Sequence, residues 1–252
     1  MSTYSLPPSV PDSLYATESL RLEAVTTCVG FDDMLDVSLA ANHRHLDTMI
    51  VVTSHEDRLT QSCCQKHGVT CVQTDLFKKN GRKFNKGAAI NAGMDHFQWH
   101  GWRMHLDADI VLPEEFRRVI FNHTHLERDC IYGANRMDVM GRAALDAIRS
   151  QPSHSRHFVN VPGPEHAVLG GMFFDKLRGY VPIGFFQLWH SSAQKAYPYS
   201  LGTAAHDDVM FAAQWPESRR RLIPTLLVWH LCSQKPANGE NWDGNRNQPR
   251  LK

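Results

Sequence analysis

Apolar and polar positions follow two different periods along the first half of the chain. Near-continuous apolar or β-branched runs occur at 22–29 (LEAVTTCV), 48–54 (TMIVVTS), 69–75 (VTCVQTD) and 102–106 (WRMHL). Their length and content predict buried strands. Segments with helical spacing lie between them. One starts at Asp32 (DDMLDVSLAANHRH), with acid near its start. A second covers 56–68 (EDRLTQSCCQKHG), and Gly68 stands where a helix stop is expected. A third covers 85–99 (NKGAAINAGMDHFQW), with small residues along one face. The polar KKNGRKF before it carries an Asn-Gly turn. Strand–helix alternation with short connections implies right-handed crossovers and a mainly parallel central sheet flanked by helices.

Beyond Pro113 the regularity fades. The pattern predicts a helix over 114–126, a strand over 129–139, a loop over 151–166 and strands over 167–176 and 184–190. A helix over 204–215 and a strand over 221–232 follow. The expected architecture is a single α/β domain over 1–252: a parallel, nucleotide-binding-like half, then an irregular half closing over it. Residues 1–20, rich in Pro and Ser, read as an N-terminal arm. Residues 233–252, rich in Gly and Asn, read as a C-terminal tail or lid.

Composition adds boundaries. The chain has 252 residues, 42% hydrophobic and 21% charged, with a net charge of +1. These values are ordinary for a globular protein and give no global pull toward nucleic acid or acidic membrane. No apolar run reaches the roughly 18 residues of a membrane span. The N-terminus lacks the basic start and apolar centre of a signal peptide, and the six cysteines show no CxxC spacing, so reduced thiols and a cytoplasmic location are expected.

Against this background the stretch WRMHLDADIVLP, 102–113, stands out. Asp107 and Asp109 sit between apolar residues, where a lone carboxylate is costly. Residues two apart on a strand share a face, so both could converge on one cation. An oxygen set suits Mg²⁺ or Mn²⁺. The plain alternative is a solvated turn. The pair falls at a strand end, where open parallel sheets bind ligands. His230, inside LLVWHLC, reads either as a core residue or as a further ligand, which would favour manganese. Asp207 and Asp208 open a helix, where acids also complement the helix dipole; one of them could act as a general base. Lys86 precedes a small-residue helix and could neutralise phosphate, with Asn91 facing the pocket, although the same small residues serve close packing. The phosphate loop GxxxxGK[ST] does not occur, which excludes a P-loop ATPase. Gly170 and Gly171 would let backbone approach a ligand closely. Gln187 and Trp189, on one strand face, could hydrogen-bond and stack a sugar; two buried aromatic strands explain them equally well.

Taken in order, NKGAAINAG, LDADIVLP, LGGMFF, GFFQLWH, HDDVMF and VWHL resemble the nucleotide-sugar glycosyltransferases of the Rossmann-like A-type fold (GT-A), and glycosyltransferase family 2 in particular. The resemblance spans roughly 22–231. It implies that Asp109 is the direct metal ligand, Asp107 binds ribose or a metal-bound water, His230 joins the metal, and Asp208 is the catalytic base. It also implies that Lys86, Asn91, Thr27, Thr53 and Asp75 hold the donor, a nucleoside-diphosphate sugar. Gly170, Gly171, Gln187, Trp189 and Asp207 would then face the sugar or acceptor. The implied reaction is a single displacement with inversion, in which Asp208 takes the proton of the attacking hydroxyl. The tail could close as a lid, with Trp242 stacking and Arg246 reaching phosphate.

Two departures argue against processive polysaccharide synthesis. CVGFDD replaces the family's usual first-strand ending, and the basic Q-x-x-R-W motif is missing. The acceptor stays open among a glycan, a small molecule and a modified nucleic-acid base, as in phage DNA glycosyltransferases. For the last, Arg219–Arg221, Lys235, Arg246, Arg250 and Lys252 would line a phosphate-contacting rim. A nucleotidyltransferase and a non-catalytic sugar-nucleotide-binding module are the remaining alternatives.

Overall fold

The computed structural model describes residues 21–81, 84–123, 125–150, 166–168, 172–175, 179–198, 203–233, 244, 246 and 249–251. The alternating half folds as its pattern predicts. β1 (Leu22–Thr27), β2 (Thr48–Thr53), β3 (Thr70–Gln73) and β4 (Trp102–Leu106) alternate with α1 (Asp32–Asn42), α2 (Arg58–His67) and α3 (Lys86–Met94). All six residues of β1 are buried, as expected of a strand covered on both faces. Gly68 ends α2 in the left-handed conformation at φ 65°. In α3, Gly93 lies flat on the sheet: a Cβ there would stand 2.5 Å from Val25 and 2.6 Å from Val52.

α3 stops at Met94, short of the expected 99. The buried Glu23 carboxylate accepts from the amides of Gln98 (2.8 Å) and Trp99 (3.2 Å) and draws the chain out of the helix toward β4. In the second half, β5 (Ile110–Val111) precedes a single helical turn, α4 (Phe116–Arg118), which widens into a π-helix over Val119–His123. β6 (Ile131–Met140) leads into α5 (Gly141–Arg149), which the sequence pattern did not anticipate. The strand expected over 167–176 is two short ones, β7 (His166–Val168) and β8 (Met172–Asp175), in different sheets. β9 (Gly179–Pro182), β10 (Phe186–His190), α6 (Ala204–Ala212) and β11 (Arg220–Cys232) complete the described strands and α-helices. Pro224 lies inside β11, which cannot donate there; the register slips between Ile223 and Leu227 to accommodate it.

The main sheet runs β3-β2-β1-β4-β10-β6-β11-β5, with β7 beside β6. It is parallel through β4, and β10 enters antiparallel between β4 and β6. β8 and β9 form a separate antiparallel pair. Met34, Leu35, Met104 and Phe186 belong to one apolar core, and Val52, Ile90, Trp189 and Phe211 to a second. One feature of the order positions the site. β5 follows β4 directly in sequence, yet it pairs with β11, so the turn between β4 and β5 bridges to the other half of the sheet. Among the described residues, no helix is long and apolar enough to cross a membrane.

Candidate functional site

Asp107 and Asp109 do not sit on a strand. β4 ends at Leu106, and the chain turns with an Ile110 N–H to Asp107 carbonyl bond of 3.1 Å. Polar groups from neighbouring elements fix this turn. Thr26 Oγ1 donates to the Leu106 carbonyl (2.6 Å), and Ser38 Oγ to that of Ala108 (2.6 Å). Asn42 donates to the Ile110 carbonyl (2.7 Å) and accepts from the Leu112 amide (2.8 Å). Ser38 and Asn42 are four apart on α1, so both face the turn.

The turn aims the two acids at different partners, which corrects the expectation of one shared strand face. Asp109 Oδ2 lies 3.2 Å from His230 Nε2. Strand register produces this contact: His230 pairs with Ile110 across β11 and β5, and the Leu231 amide donates to the Asp109 carbonyl at 2.8 Å. The same register on the other side pairs His230 with Asp138 of β6, whose Oδ1 is 2.8 Å from His230 Nδ1. Arg136 Nε stands 3.5 Å from that Asp138 oxygen. Burial alone would lower the His230 pKa, but Asp109 and Asp138 outweigh it and hold the ring well above the usual histidine range. Burial likewise opposes ionisation of Asp109, and the His230 charge overcomes it, leaving that carboxyl below its ordinary value.

This arrangement fits a divalent ion. Asp109 Oδ1 is buried with no hydrogen-bond partner among the described residues. His230 Nε2 faces the same carboxylate, while its other nitrogen is oriented by an acid, as metal-binding histidines usually are. The mixed oxygen and nitrogen set suits manganese better than magnesium. Asp138 is a positioning residue that the sequence did not reveal; only strand pairing places it, 92 residues away, beside His230.

Asp107 belongs to a second cluster. Lys86 Nζ lies 2.8 Å from Asp107 Oδ1 and 3.1 Å from Asp208 Oδ2. Burial would lower the lysine pKa, but the two carboxylates outweigh it and hold Lys86 protonated. Burial raises Asp208 to about 7, Lys86 offsetting part of that rise and Asp107 adding to it. Asp107 is raised for the same reason, burial outweighing Lys86. Asp207 turns to α3 instead: its Oδ2 accepts from the Gly87 amide at 3.0 Å, in the helix's first turn, where the dipole favours an anion. Behind Asp208 stands a buried wall. Tyr197 Oη lies 2.9 Å from His105 Nδ1 and donates to Gln187 Oε1 at 2.5 Å, and Gln187 Nε2 donates to the carbonyls of Pro182 (2.7 Å) and Asp208 (3.0 Å).

Several expected contacts are therefore absent from the site. Trp189 is fully buried, edge-on to Phe211 with ring centroids 4.9 Å apart, and presents no face to a sugar. Gln187 is spent on the wall: it is fully buried, and its amide is taken up by Tyr197, Pro182 and Asp208. Asn91 donates to the Tyr197 carbonyl and accepts from its amide, at 2.9 and 2.8 Å, so it braces Tyr197. Arg246 does not reach toward the acid clusters: it pairs with both Asp33 carboxylate oxygens (2.6 and 2.9 Å) and donates to the Gly30 carbonyl (2.9 Å). Arg219 lies 2.8 Å from Glu127 and 3.1 Å from Asp129, Arg221 3.7 Å from Glu127, and Arg250 pairs with Asp32. Acid neighbours thus neutralise these members of the basic rim. Thr27 and Thr53 are buried, and Thr53 Oγ1 lies 3.4 Å from Asp57 Oδ2. Asp75 lines an open hollow of about 590 Å³ beyond β3, with His55, Gln73, Thr74, Lys78 and Lys79. Gly170, Gly171, Trp242, Lys235 and Lys252 lie outside the described residues, as does the arm 1–20.

No protein-family model matches the chain, and no curated protein matches it in sequence. Solved structures of similar shape include a mannosyltransferase from Pyrobaculum calidifontis in complex with GDP-Man and Mn²⁺. That likeness has 14% identity, 86% coverage of this chain, 58% of the other and a TM-score of 0.49. Glucosyl-3-phosphoglycerate synthase from Mycobacterium tuberculosis, bound to Mn²⁺, UDP-glucose and phosphoglyceric acid, matches at 10% identity over 87% of this chain and 74% of that one, with a TM-score of 0.49. Mannosyl-3-phosphoglycerate synthase from Rubrobacter xylanophilus matches at 15% identity over 46% and 40%, with a TM-score of 0.38. The chain thus spans 40% and 58% of the lengths of two of these proteins.

Proposed function

We propose that this chain is a metal-dependent glycosyltransferase of the A-type fold. It moves a sugar from a nucleoside-diphosphate donor to an acceptor hydroxyl with inversion. One observation carries the reading: at the carboxyl end of β4, a single turn presents Asp109 to an acid-oriented histidine and Asp107 to a buried lysine that also holds Asp208. That combination would supply a cation site, a charge for phosphate and a buried acid close to one another.

Asp109 and His230 would hold Mn²⁺ or Mg²⁺. When bound, the ion supplies positive charge against the charge that gathers on a departing diphosphate. Asp138 fixes which His230 nitrogen faces that position. Lys86 offers its ammonium to the donor phosphates, and Asp107 orients that ammonium. The hollow at Asp75 would take the nucleoside end. Asp208, raised to about 7, is poised to accept the acceptor's proton near neutral pH. Tyr197, His105 and Gln187 hold the wall behind it.

The test is a thermal-shift screen of nucleotide sugars with and without Mn²⁺, followed by product analysis with the responding donor. Free nucleoside diphosphate indicates sugar transfer, pyrophosphate indicates nucleotidyl transfer, and binding without turnover indicates a non-catalytic module. Asp208→Asn should keep donor binding and lose transfer by about 10²–10⁴-fold. Asp109→Ala should lose metal-dependent donor binding. Near-full activity in Asp208→Asn removes the base assignment.

A further inference from the structure

We propose a second metal site, of thiolate, imidazole and carboxylate ligands, between α1 and α2. Its ligands are Cys63, His67 and Asp36, and the class of ion is Zn²⁺ or a similar borderline-soft divalent cation. Cys63 and His67 are four residues apart on α2, so thiol and imidazole stand one above the other on a single helix face. α1 brings Asp36 against them: its Oδ1 lies 2.7 Å from His67 Nε2. The three ligand atoms all lie within 4.8 Å of one another. A tetrahedral ion with bonds of about 2.0–2.3 Å needs its ligands roughly 3.3–3.8 Å apart, so small side-chain movements suffice.

The burial gradient also suits a metal. The Cys63 side chain is buried, whereas His67 and Asp36 are partly open, with 13% and 28% of their side chains exposed. An ion can therefore enter from solvent and meet the thiol last. Lys66 Nζ, 2.6 Å from Asp36 Oδ1, occupies part of the approach. Its side chain is 64% exposed, and an ion pair so exposed is weak enough for a divalent cation to displace. Arg142 stands back, 4.0 Å from Asp36 Oδ2. Binding forms three ligand bonds and releases one proton from the thiol, with any proton carried by His67. A water completes the shell.

The thiolate separates this site from Asp109 and His230, which offer oxygen and nitrogen. A bound ion would clip α1 to α2 beside β1 and β2 and stabilise the helical layer without entering the proposed reaction.

The test is a Co²⁺ titration of the reduced, chelator-stripped full chain, read by absorption. The expected result is a saturable thiolate-to-cobalt charge-transfer band in the near ultraviolet, with the amplitude of a single thiolate ligand. Zn²⁺ should displace that band. Cys63→Ser should abolish it, and His67→Ala should weaken binding by more than the roughly 10–100-fold that outer-shell changes cost. Asp109→Ala should keep the band, so failure of the glycosyltransferase reading leaves this result standing. Cys232→Ser is the needed control, because Cys232 Sγ lies 3.4 Å from His230 Nδ1. Absence of a thiolate band in the unaltered protein overturns the proposal. So does a band that survives in Cys63→Ser or disappears in Cys232→Ser. Should Cys63→Ser not fold, His67→Ala decides by the same affinity criterion.

Discussion

Gly184 positions Asp208 by what it lacks. A Cβ at Gly184 would fall 1.8 Å from Asp208 Oδ2, so any larger residue must displace the carboxylate oxygen that contacts Lys86. Gly184→Ala should therefore lower transfer by about 100-fold, the scale of a 1 Å misplacement, while donor-dependent thermal shifts persist. Undiminished kcat in that variant would show that the carboxylate position is unimportant. A second residue acts on stability. Burial, helped by Arg44 and Arg117, pushes His45 from 6.5 down to about 4. The unfolded chain takes up this proton near 6.5, and the folded chain refuses it until about 4. Stability is thus full above 6.5 and falls as pH drops through that window, by at most on the order of 3 kcal/mol. Urea unfolding of the native protein and His45→Phe across this range checks it; parallel profiles would remove His45 as the cause. Nothing in the local sequence distinguishes His45 or Gly184, since both depend on what packs against them.

At the scale of elements, α1 does more than cover the sheet. Ser38 and Asn42, both buried, hydrogen-bond the backbone of the acid-bearing turn. Asn42→Ala would leave the Ile110 carbonyl and Leu112 amide without that partner, at a cost of about 1–3 kcal/mol. The same change should weaken Mn²⁺ binding, because the turn that aims Asp109 loses its anchor. If chemical denaturation shows the loss and Mn²⁺ affinity stays unchanged, the turn is held by Thr26 and Ser38 alone. The helix was legible from its spacing and its acidic start. The use of its polar residues was not, because hydrogen-bond partners 68 and 70 residues away leave no mark on local periodicity.

At the scale of the whole molecule, the C-terminus returns to the first crossover. Arg246 spans 213 residues to grip Asp33, and its guanidinium lies 4.7 Å from the centre of the Phe31 ring. Gly244 packs against Phe84, where a Cβ would meet the ring, and Phe84 stacks on Phe77 at 5.0 Å. Gly244 and Arg246 thus lie against the segment before α3 and the loop after β1 respectively. Arg246→Ala should destabilise the fold by about 1.5–3 kcal/mol, the range for hydrogen bonds to charged groups. A double-mutant cycle with Asp33→Ala should be strongly non-additive; additive losses would mean that the two side chains act separately.

Local pattern alone settled the strands and helices of the first half, the helix stop at Gly68 and the placement of Asp107 and Asp109 where a strand ends, because periodicity and turn chemistry act over a few residues. The order of motifs singled out Lys86, Asp208 and His230. Tertiary structure decided which of these groups meet. Register across β5, β11 and β6 brought Asp109, His230 and Asp138 together, the approach of α6 to α3 joined Asp208 to Lys86, and burial withdrew Gln187 and Trp189 from the mouth. Those outcomes depend on strand pairing and packing between residues tens to hundreds of positions apart, and a linear pattern carries no record of such neighbours.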